Sequence, residues 1–423
     1  MLFGVPYGDF AQYTLQRSFC KTARRLQNRW MFGKKRIYLD YASATPVFPQ
    51  ALDAIYKASE IFANPGGIHA DSVEAKASLQ KSRERIANQL ACKAREVIFT
   101  SGLTEGNAIA ILGTARALEL SKRNLSGTHW LVSSIEHSSV LECFAEIERL
   151  GGTVTHLEPN AQGIITAEYV AKHLRPETVF VSVGWGNNEI GTVQPLAHIS
   201  RAIRTHQKKH KSIIFFHSDA GQSPLYTAPQ VHTLGVDLLT LGSGKLYGPR
   251  GIGCLYVSTK AQITPVSFGG GQERGLRSGT EDVPLAAGFA EALDLIAAER
   301  GEEAKRLRKL RDELAREIVA HIPGVIMNGS PKHSLPHMLN VSIPGPKSGE
   351  YLALRLDHFG ISLSTKSACR EGEAASHVIQ ALGGEAWRAK NTLRFSLGSA
   401  TTAKDIKRVV EVLEEIIPVA SEI

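Results

Sequence analysis

Lys245 stands where a side-chain amine could do covalent chemistry. It ends the string Leu239-Thr240-Leu241-Gly242-Ser243-Gly244-Lys245, an apolar run that breaks into glycines. One use of a lysine after a glycine-rich turn is the nucleotide phosphate loop. That loop needs a glycine five residues before Gly244 and a Ser or Thr after the lysine, where this chain has Leu239 and Leu246. The other use is the amine itself, since a desolvated lysine is partly neutral and can condense with an aldehyde cofactor. A pyridine-type cofactor then needs a carboxylate to keep its ring nitrogen protonated. Asp219, in His217-Ser218-Asp219-Ala220-Gly221-Gln222, supplies one at the exit of the preceding strand. Gln222 can hydrogen-bond the ring's phenolate oxygen or the lysine. Open α/β sheets bind ligands at this carboxyl edge.

A phosphate site belongs at a helix N-terminus reached through a glycine turn. Thr100-Ser101-Gly102-Leu103-Thr104-Glu105-Gly106-Asn107 has that form, with free N–H groups, the Thr104 hydroxyl, and Ser101 or Thr104 as candidate cap. Cys369 lies in Ser364-Thr365-Lys366-Ser367-Ala368-Cys369-Arg370-Glu371-Gly372-Glu373, a polar segment unlike the apolar surroundings of a structural cysteine. Lys366 and Arg370 would favour its thiolate.

With these strings in place the chain resembles the class V aminotransferase-fold enzymes that use pyridoxal 5'-phosphate (PLP), and among them the cysteine desulfurases. The resemblance runs from about residue 37 to 415 and carries the motifs in the family's order. They are Tyr38-Leu39-Asp40-Tyr41-Ala42, Asn64-Pro65, the Thr100 to Asn107 turn, Glu136-His137, Asn187-Asn188-Glu189-Ile190-Gly191, Asp219 with Gln222, and Lys245. Arg277-Ser278-Gly279-Thr280, Ser367-Ala368-Cys369 and Leu393-Arg394-Phe395-Ser396-Leu397-Gly398 close the series. The resemblance implies PLP held as a Schiff base on Lys245, with Leu103, Thr104, His137, Asn188, Asp219, Gln222, Gly242, Ser243, Gly244 and Thr280 around it. His137 would stack on the ring and help move protons, and Asn188 would approach the phenolate oxygen and the substrate carboxylate. Thr280 would reach the phosphate of the partner subunit's cofactor in a homodimer. Arg394 would grip the α-carboxylate of L-cysteine as a bidentate fork.

On this reading Lys245, His137 and Cys369 are the catalytic residues. Cys369 would attack the sulfur of the PLP-bound cysteine, leaving alanine and an enzyme persulfide. The sulfur would pass to an acceptor or iron–sulfur scaffold protein, for cluster assembly or tRNA thiolation. No metal site is implied beyond transient iron–sulfur ligation by Cys369. The alternatives are another class V activity (aminotransferase or selenocysteine lyase) and a weakly catalytic sulfur carrier of the same fold. Two features depart from the family's pattern. Most members have a Ser and a His just before the lysine, where this chain has Gly242 and Gly244, so Ser243 and backbone N–H groups are expected to take over phosphate contacts. Arg-Glu-Gly-Glu-Ala-Ala follows Cys369 where small polar residues are usual.

Elements that could position these residues alternate along the chain. Helical stretches at 50–63, 69–90, 107–121, 138–150, 196–209 and 283–319 are interleaved with β-branched runs at 96–100, 130–134, 179–183, 213–217, 236–241 and 253–257. That alternation predicts an α/β fold with a mostly parallel sheet between helices, which the resemblance specifies as the seven-stranded fold type I of PLP enzymes. Strands at 338–343 and 393–397 and a last helix capped by Thr402, with Asp405 three residues on, predict a smaller α+β C-terminal domain. The expected division is 1–36 an N-terminal extension, 37–52 an arm joining the small domain, 53–295 the large PLP-binding domain, and 296–423 the small domain with the Cys369 loop.

A chain of 423 residues with 43% hydrophobic and 21% charged residues suits a soluble protein of two domains. Its net charge of +8 is dispersed, apart from an N-terminal cluster and short runs such as Lys208-Lys209-His210-Lys211, which argues against direct nucleic-acid binding. No apolar run approaches membrane-spanning length. Five scattered cysteines without CxxC pairs point to a reducing cytoplasm rather than a disulfide framework. Residues 1–36 carry eight Lys or Arg against the single acid Asp9. They are read as a disordered extension, with Met31 as the true start. An organelle presequence is the competing reading.

Overall fold

The computed structural model describes residues 30–31, 34–366 and 375–417. Seven strands form the main sheet: β1 (Val97–Thr100), β2 (His129–Ser133), β3 (Thr153–Leu157), β4 (Thr178–Ser182), β5 (Phe215–Asp219), β6 (Leu238–Gly242) and β7 (Gly253–Val257). Their order is β1-β7-β6-β5-β4-β2-β3. Every pairing from β6 to β3 is parallel, and β7 is antiparallel to both β6 and β1. A parallel sheet needs helical crossovers on both faces, so its strands are apolar throughout rather than alternating. All five residues of β2, β4, β6 and β7 are buried.

Successive side chains within a strand go to opposite faces. Leu131, Val181, Phe216, Leu239 and Cys254 pack with Ile86, Ile199 and Phe289 on one face. Trp130, Val132, Phe180, Leu238 and Leu255 pack with Ile109 and Phe144 on the other. The edge strand β3 and the helix Ala167–His173 were not anticipated from sequence. Strand β3 reads Thr-Val-Thr-His-Leu and buries only Leu157 fully, so its apolar signal is weak.

A second core gathers Leu39, Leu307, Leu314, Val341, Leu356, Leu393, Phe395 and Val409. It is built on an antiparallel sheet of Ile326–Met327, Met338–Ser342 and Thr392–Ser396, with helices Gly349–His358 and Ala403–Ile416. Thr402 and Asp405 form the expected capping box. The N-terminal segment Ile37–Tyr38 pairs in parallel with Ile361–Ser362, which places residues near 37–40 against this second core. Within the segment read as an unstructured extension, Trp30–Met31 pairs antiparallel with Lys34–Lys35. Residues 1–29 lie outside the described residues.

Helix Val283–His321 links the two cores without a break. Its apolar residues up to Ile296 join the large sheet's core, and those from Leu307 onward join the second. The division drawn at 295–296 therefore falls inside one continuous helix. Among the described residues, no helix is long and apolar enough to cross a membrane.

Candidate active site

The carboxyl edge of the sheet delivers most of the side chains singled out from the sequence. Lys245 ends a single turn, Ser243–Lys245, that follows β6 directly. Asp219 is the last residue of the neighbouring β5 and lies opposite Thr240. The strand was expected at 213–217. It starts two residues later because Ile213 is exposed, and the shift brings Asp219 to the sheet edge. Leu103 and Thr104 begin the helix Leu103–Leu120 after β1, and His137 caps the helix Ser138–Arg149 after β2. Lys245, Asp219, Leu103, Thr104, His137, Asn188 and Gln222 line one cavity of about 260 Å³.

The helix after β1 is capped by neither of the two candidate hydroxyls. Gly102, at φ 153°, is the helix cap, and neither Ser101 nor Thr104 caps with its side chain. The Ser101 N–H donates to the Glu105 carboxylate instead. The first intrahelical bond runs from Gly106 N to Gly102 O, 3.1 Å, so the N–H groups of Leu103, Thr104 and Glu105 lie outside the helix ladder. These groups and the Thr104 hydroxyl form a donor set suited to an anion.

A chain of hydrogen bonds connects Asp219 with His137. Asn107 Nδ2 donates to Asp219 Oδ2 (2.7 Å) and to Ser139 Oγ (3.0 Å), and Ser139 Oγ donates to His137 Nδ1 (2.9 Å). Gly221 N donates to the other Asp219 oxygen, 2.8 Å. The Ser139 N–H also donates to His137 Nδ1, so that nitrogen is an acceptor and the imidazole carries its hydrogen on Nε2. Burial lowers the His137 pKa, the nearby positive charge of Lys245 lowers it further, and Asp219 acts in the opposite direction. A neutral imidazole with an Nε2 hydrogen results.

Glu136, beside His137, is 5% exposed and also lines the cavity. Its Oε1 accepts from Gly184 N at 2.7 Å, and a Cβ at position 184 would meet its Oε2 at 2.8 Å. Burial pushes its carboxyl up to about 8, with Asp219 adding to the rise, so the carboxyl is largely protonated at neutral pH. Glu136 and Asn107 both stood inside motifs read from the sequence, but neither had been given a role there. Their partners Gly184 and Asp219 are distant in sequence, so no local pattern signals either contact.

Other expectations are met differently. Gln222 donates Nε2 to Ala42 O (2.8 Å), and its buried Oε1 has no partner among the described residues. The unused atom is an acceptor, suited to the lysine amine and not to a phenolate oxygen. Gly242, Ser243 and Gly244 do not line the cavity. Thr280, expected to serve the partner subunit's cofactor, is exposed and lies outside this cavity. Arg394 is 1% exposed and also absent from the lining. Its Nη2 donates to Asp40 Oδ1 (2.8 Å) and Ser43 Oγ (2.7 Å), and its Nη1 to Asn188 O (2.9 Å), while Nε has no partner among the described residues. The guanidinium thus stands behind Asn188 and ties it to the N-terminal segment.

Cys369 lies outside the described residues, but one flank of its segment is bonded to Arg394 behind the cavity and the other to the cavity wall. Ser364 exchanges backbone bonds with Arg394 (2.7 and 3.4 Å). On the far side Ser376 Oγ donates to Glu189 Oε2 (2.6 Å), and His377 Nε2 donates to Glu136 O (3.1 Å).

A lysine and an aspartate at adjacent strand exits, an anion-binding helix start, and an unpartnered buried acceptor fit a PLP-type cofactor. The sequence matches the family model Aminotransferase class-V over residues 37–409. The chain belongs to the class-V aminotransferase family. Among class-V proteins it is 37% identical over 386 residues to Cysteine desulfurase IscS of Dictyoglomus turgidum, an alignment covering 91% of this chain and 95% of that protein. Its fold is similar to that of a solved NifS-like protein, with a TM-score of 0.83 and 31% identity over 90% of this chain and 99% of the other. It is also similar to a structure described as SspA in complex with cysteine, with a TM-score of 0.73 and 33% identity over 85% and 98%.

Proposed function

We propose that the protein is a PLP-dependent cysteine desulfurase that takes sulfur from L-cysteine onto Cys369 and releases L-alanine. The observation that carries this reading is the meeting of Lys245, Asp219 and His137 at one cavity, with one flank of the Cys369 segment bonded to its wall at Glu136 and the other to Arg394 behind Asn188. Likeness to a cysteine desulfurase and to a fold solved with cysteine supports the choice of substrate.

Lys245 holds the cofactor covalently, Asp219 keeps a proton at the ring nitrogen, and Thr104 with the helix start takes the phosphate. When bound, PLP supplies the electron sink that labilises bonds near the substrate α-carbon. His137 offers the Nε2 hydrogen, and Asn107 with Ser139 fixes that tautomer. Asn188, braced by Arg394, faces the substrate. In the sulfur step the Cys369 thiol gives up its proton and forms an S–S bond. The substrate C–S bond breaks, and its carbon takes a proton to become the methyl group of alanine. A homodimer, a cytoplasmic location and delivery of the persulfide sulfur to an acceptor or iron–sulfur scaffold protein belong to the same reading.

The test is incubation of the purified protein with L-cysteine, with alanine and protein-bound persulfide both quantified. Equimolar products, lost in Lys245→Ala and in Cys369→Ala, are expected. Full turnover by Cys369→Ala would remove that residue from the reaction, and a protein that binds no PLP would remove the cofactor.

A further inference from the structure

Leu103 sits in a slot built by two glycines. A Cβ at Gly242 would lie 2.6 Å from Leu103 Cγ and 3.0 Å from its Cδ1, and a Cβ at Gly221 would lie 3.0 Å from Cδ1. Contacts shorter than 3.0 Å are essentially never made by real Cβ atoms, so a side chain at 242 cannot coexist with Leu103 where it now stands. The helix start, the end of β6 and the turn after Asp219 thus converge on one isobutyl group, which lines the same cavity as Lys245. The adjacent hydroxyl does not replace what a side chain at 242 would offer. Ser243 is fully buried, its Oγ has no partner among the described residues, and a Cβ at Gly248 would lie 2.1 Å from that oxygen. The hydroxyl is packed against the Gly248 turn.

We propose that Leu103 and Gly242 form one steric unit, in which Leu103 is an apolar plug that sets the polarity and width of the anion-binding end of the cavity. The inference rests on the PLP reading above. A larger residue at 242 is excluded only because Leu103 occupies its space, and the plug leaves the end of β6 with no hydroxyl to offer the cofactor, the Thr240 hydroxyl being bonded to His217. The phosphate then depends on Thr104 and on backbone N–H groups, and the cofactor exchanges more readily than it would if a serine at 242 stood beside a small residue at 103.

The test is a double-mutant cycle on the full-length protein read by cofactor affinity, independent of turnover. Apo forms of the wild type, Leu103→Ala, Gly242→Ser and the double variant are titrated with PLP, followed by the absorbance of the bound chromophore. Crowding is expected to weaken PLP binding by about tenfold in Gly242→Ser alone. In the Leu103→Ala background the same serine is expected to tighten binding, so the sign of its effect reverses. A serine effect of the same sign and size in both backgrounds would overturn the proposal, as would wild-type affinity in Gly242→Ser. Should Gly242→Ser fail to fold, the comparison of the double variant with Leu103→Ala decides: tighter binding supports the plug, and equal or weaker binding overturns it. Wild-type protein that takes up no PLP would overturn the cofactor reading itself.

Discussion

At Glu136 a carboxyl is held out of water against a backbone N–H, and its ionisation is linked to folding. In the unfolded chain this group titrates near 4.5, and in the folded protein at about 8. Below the lower value both states are protonated and the fold bears no penalty. As pH rises through the interval the unfolded chain ionises first, so stability falls until pH passes about 8. Glu136→Gln keeps the shape and cannot ionise. Its melting temperature should therefore drop less between pH 5 and pH 8 than that of the wild type, and parallel curves would remove Glu136 as the titrating group. Residues of this kind also mark where sequence reading stops. Lys245 and Asp219 were legible because each lies at the exit of an apolar run with glycine close by, Gly242 and Gly244 for the one and Gly221 for the other, a local signal. Asn107 was not, because its partners Asp219 and Ser139 are brought to it only by the order of the strands. Arg394 was expected to hold substrate, and only the fold reveals that its Nη2 also bonds Asp40 and Ser43 and its Nη1 the Asn188 carbonyl.

The turn that carries Glu273 shows how an element is held in a costly shape. Glu273, Arg274 and Gly275 have φ values of 48°, 58° and 77°, a left-handed run that disfavours the two residues with side chains. It is fixed by a bidentate pair between Arg83 and Glu273, at 2.6 and 2.7 Å, and by Phe99 N donating to Glu273 Oε2 at 2.8 Å. The Glu273 side chain is 1% exposed and that of Arg83 13%. Glu273→Ala leaves a desolvated guanidinium and an unpaired N–H, at a cost of about 3 kcal/mol. Denaturant unfolding measures this directly, and a loss below about 1 kcal/mol would mean that the pair does not hold the turn. Helices were the most legible elements, since apolar spacing and the Thr402–Asp405 box are written in adjacent residues. The antiparallel direction of β7 was not legible, because it is decided by the pairing partners on either side.

At the scale of the molecule, helix Val283–His321 is the shared member of both cores. Between the last residue that it gives to the first core, Ile296, and the first that it gives to the second, Leu307, stands Gly301. It is exposed, with open space around any added Cβ. A mid-helix glycine costs roughly 0.5–1 kcal/mol relative to alanine. Gly301→Ala should stabilise the protein by that amount in denaturant titration, and no change would show that this stretch contributes little to the cooperative unit. The helix itself was legible, expected at 283–319 and found at Val283–His321, but its service to two separate cores was not, because that depends on which sheet each of its turns meets.

The pairing of Ile37–Tyr38 with Ile361–Ser362, and of Asp40 with Arg394, has a consequence for synthesis. The first of these segments leaves the ribosome more than three hundred residues ahead of its partner. At roughly 5–20 residues per second, the nascent chain carries that strand without its partner for about 15–60 s. The large sheet can be completed during this time, because β7 is made well before residue 361. The second core cannot close before Phe395 and Leu397 have emerged. Translation that stops short of Arg394 would thus leave an unpaired strand edge and an open apolar face, the features that recruit chaperones or aggregate.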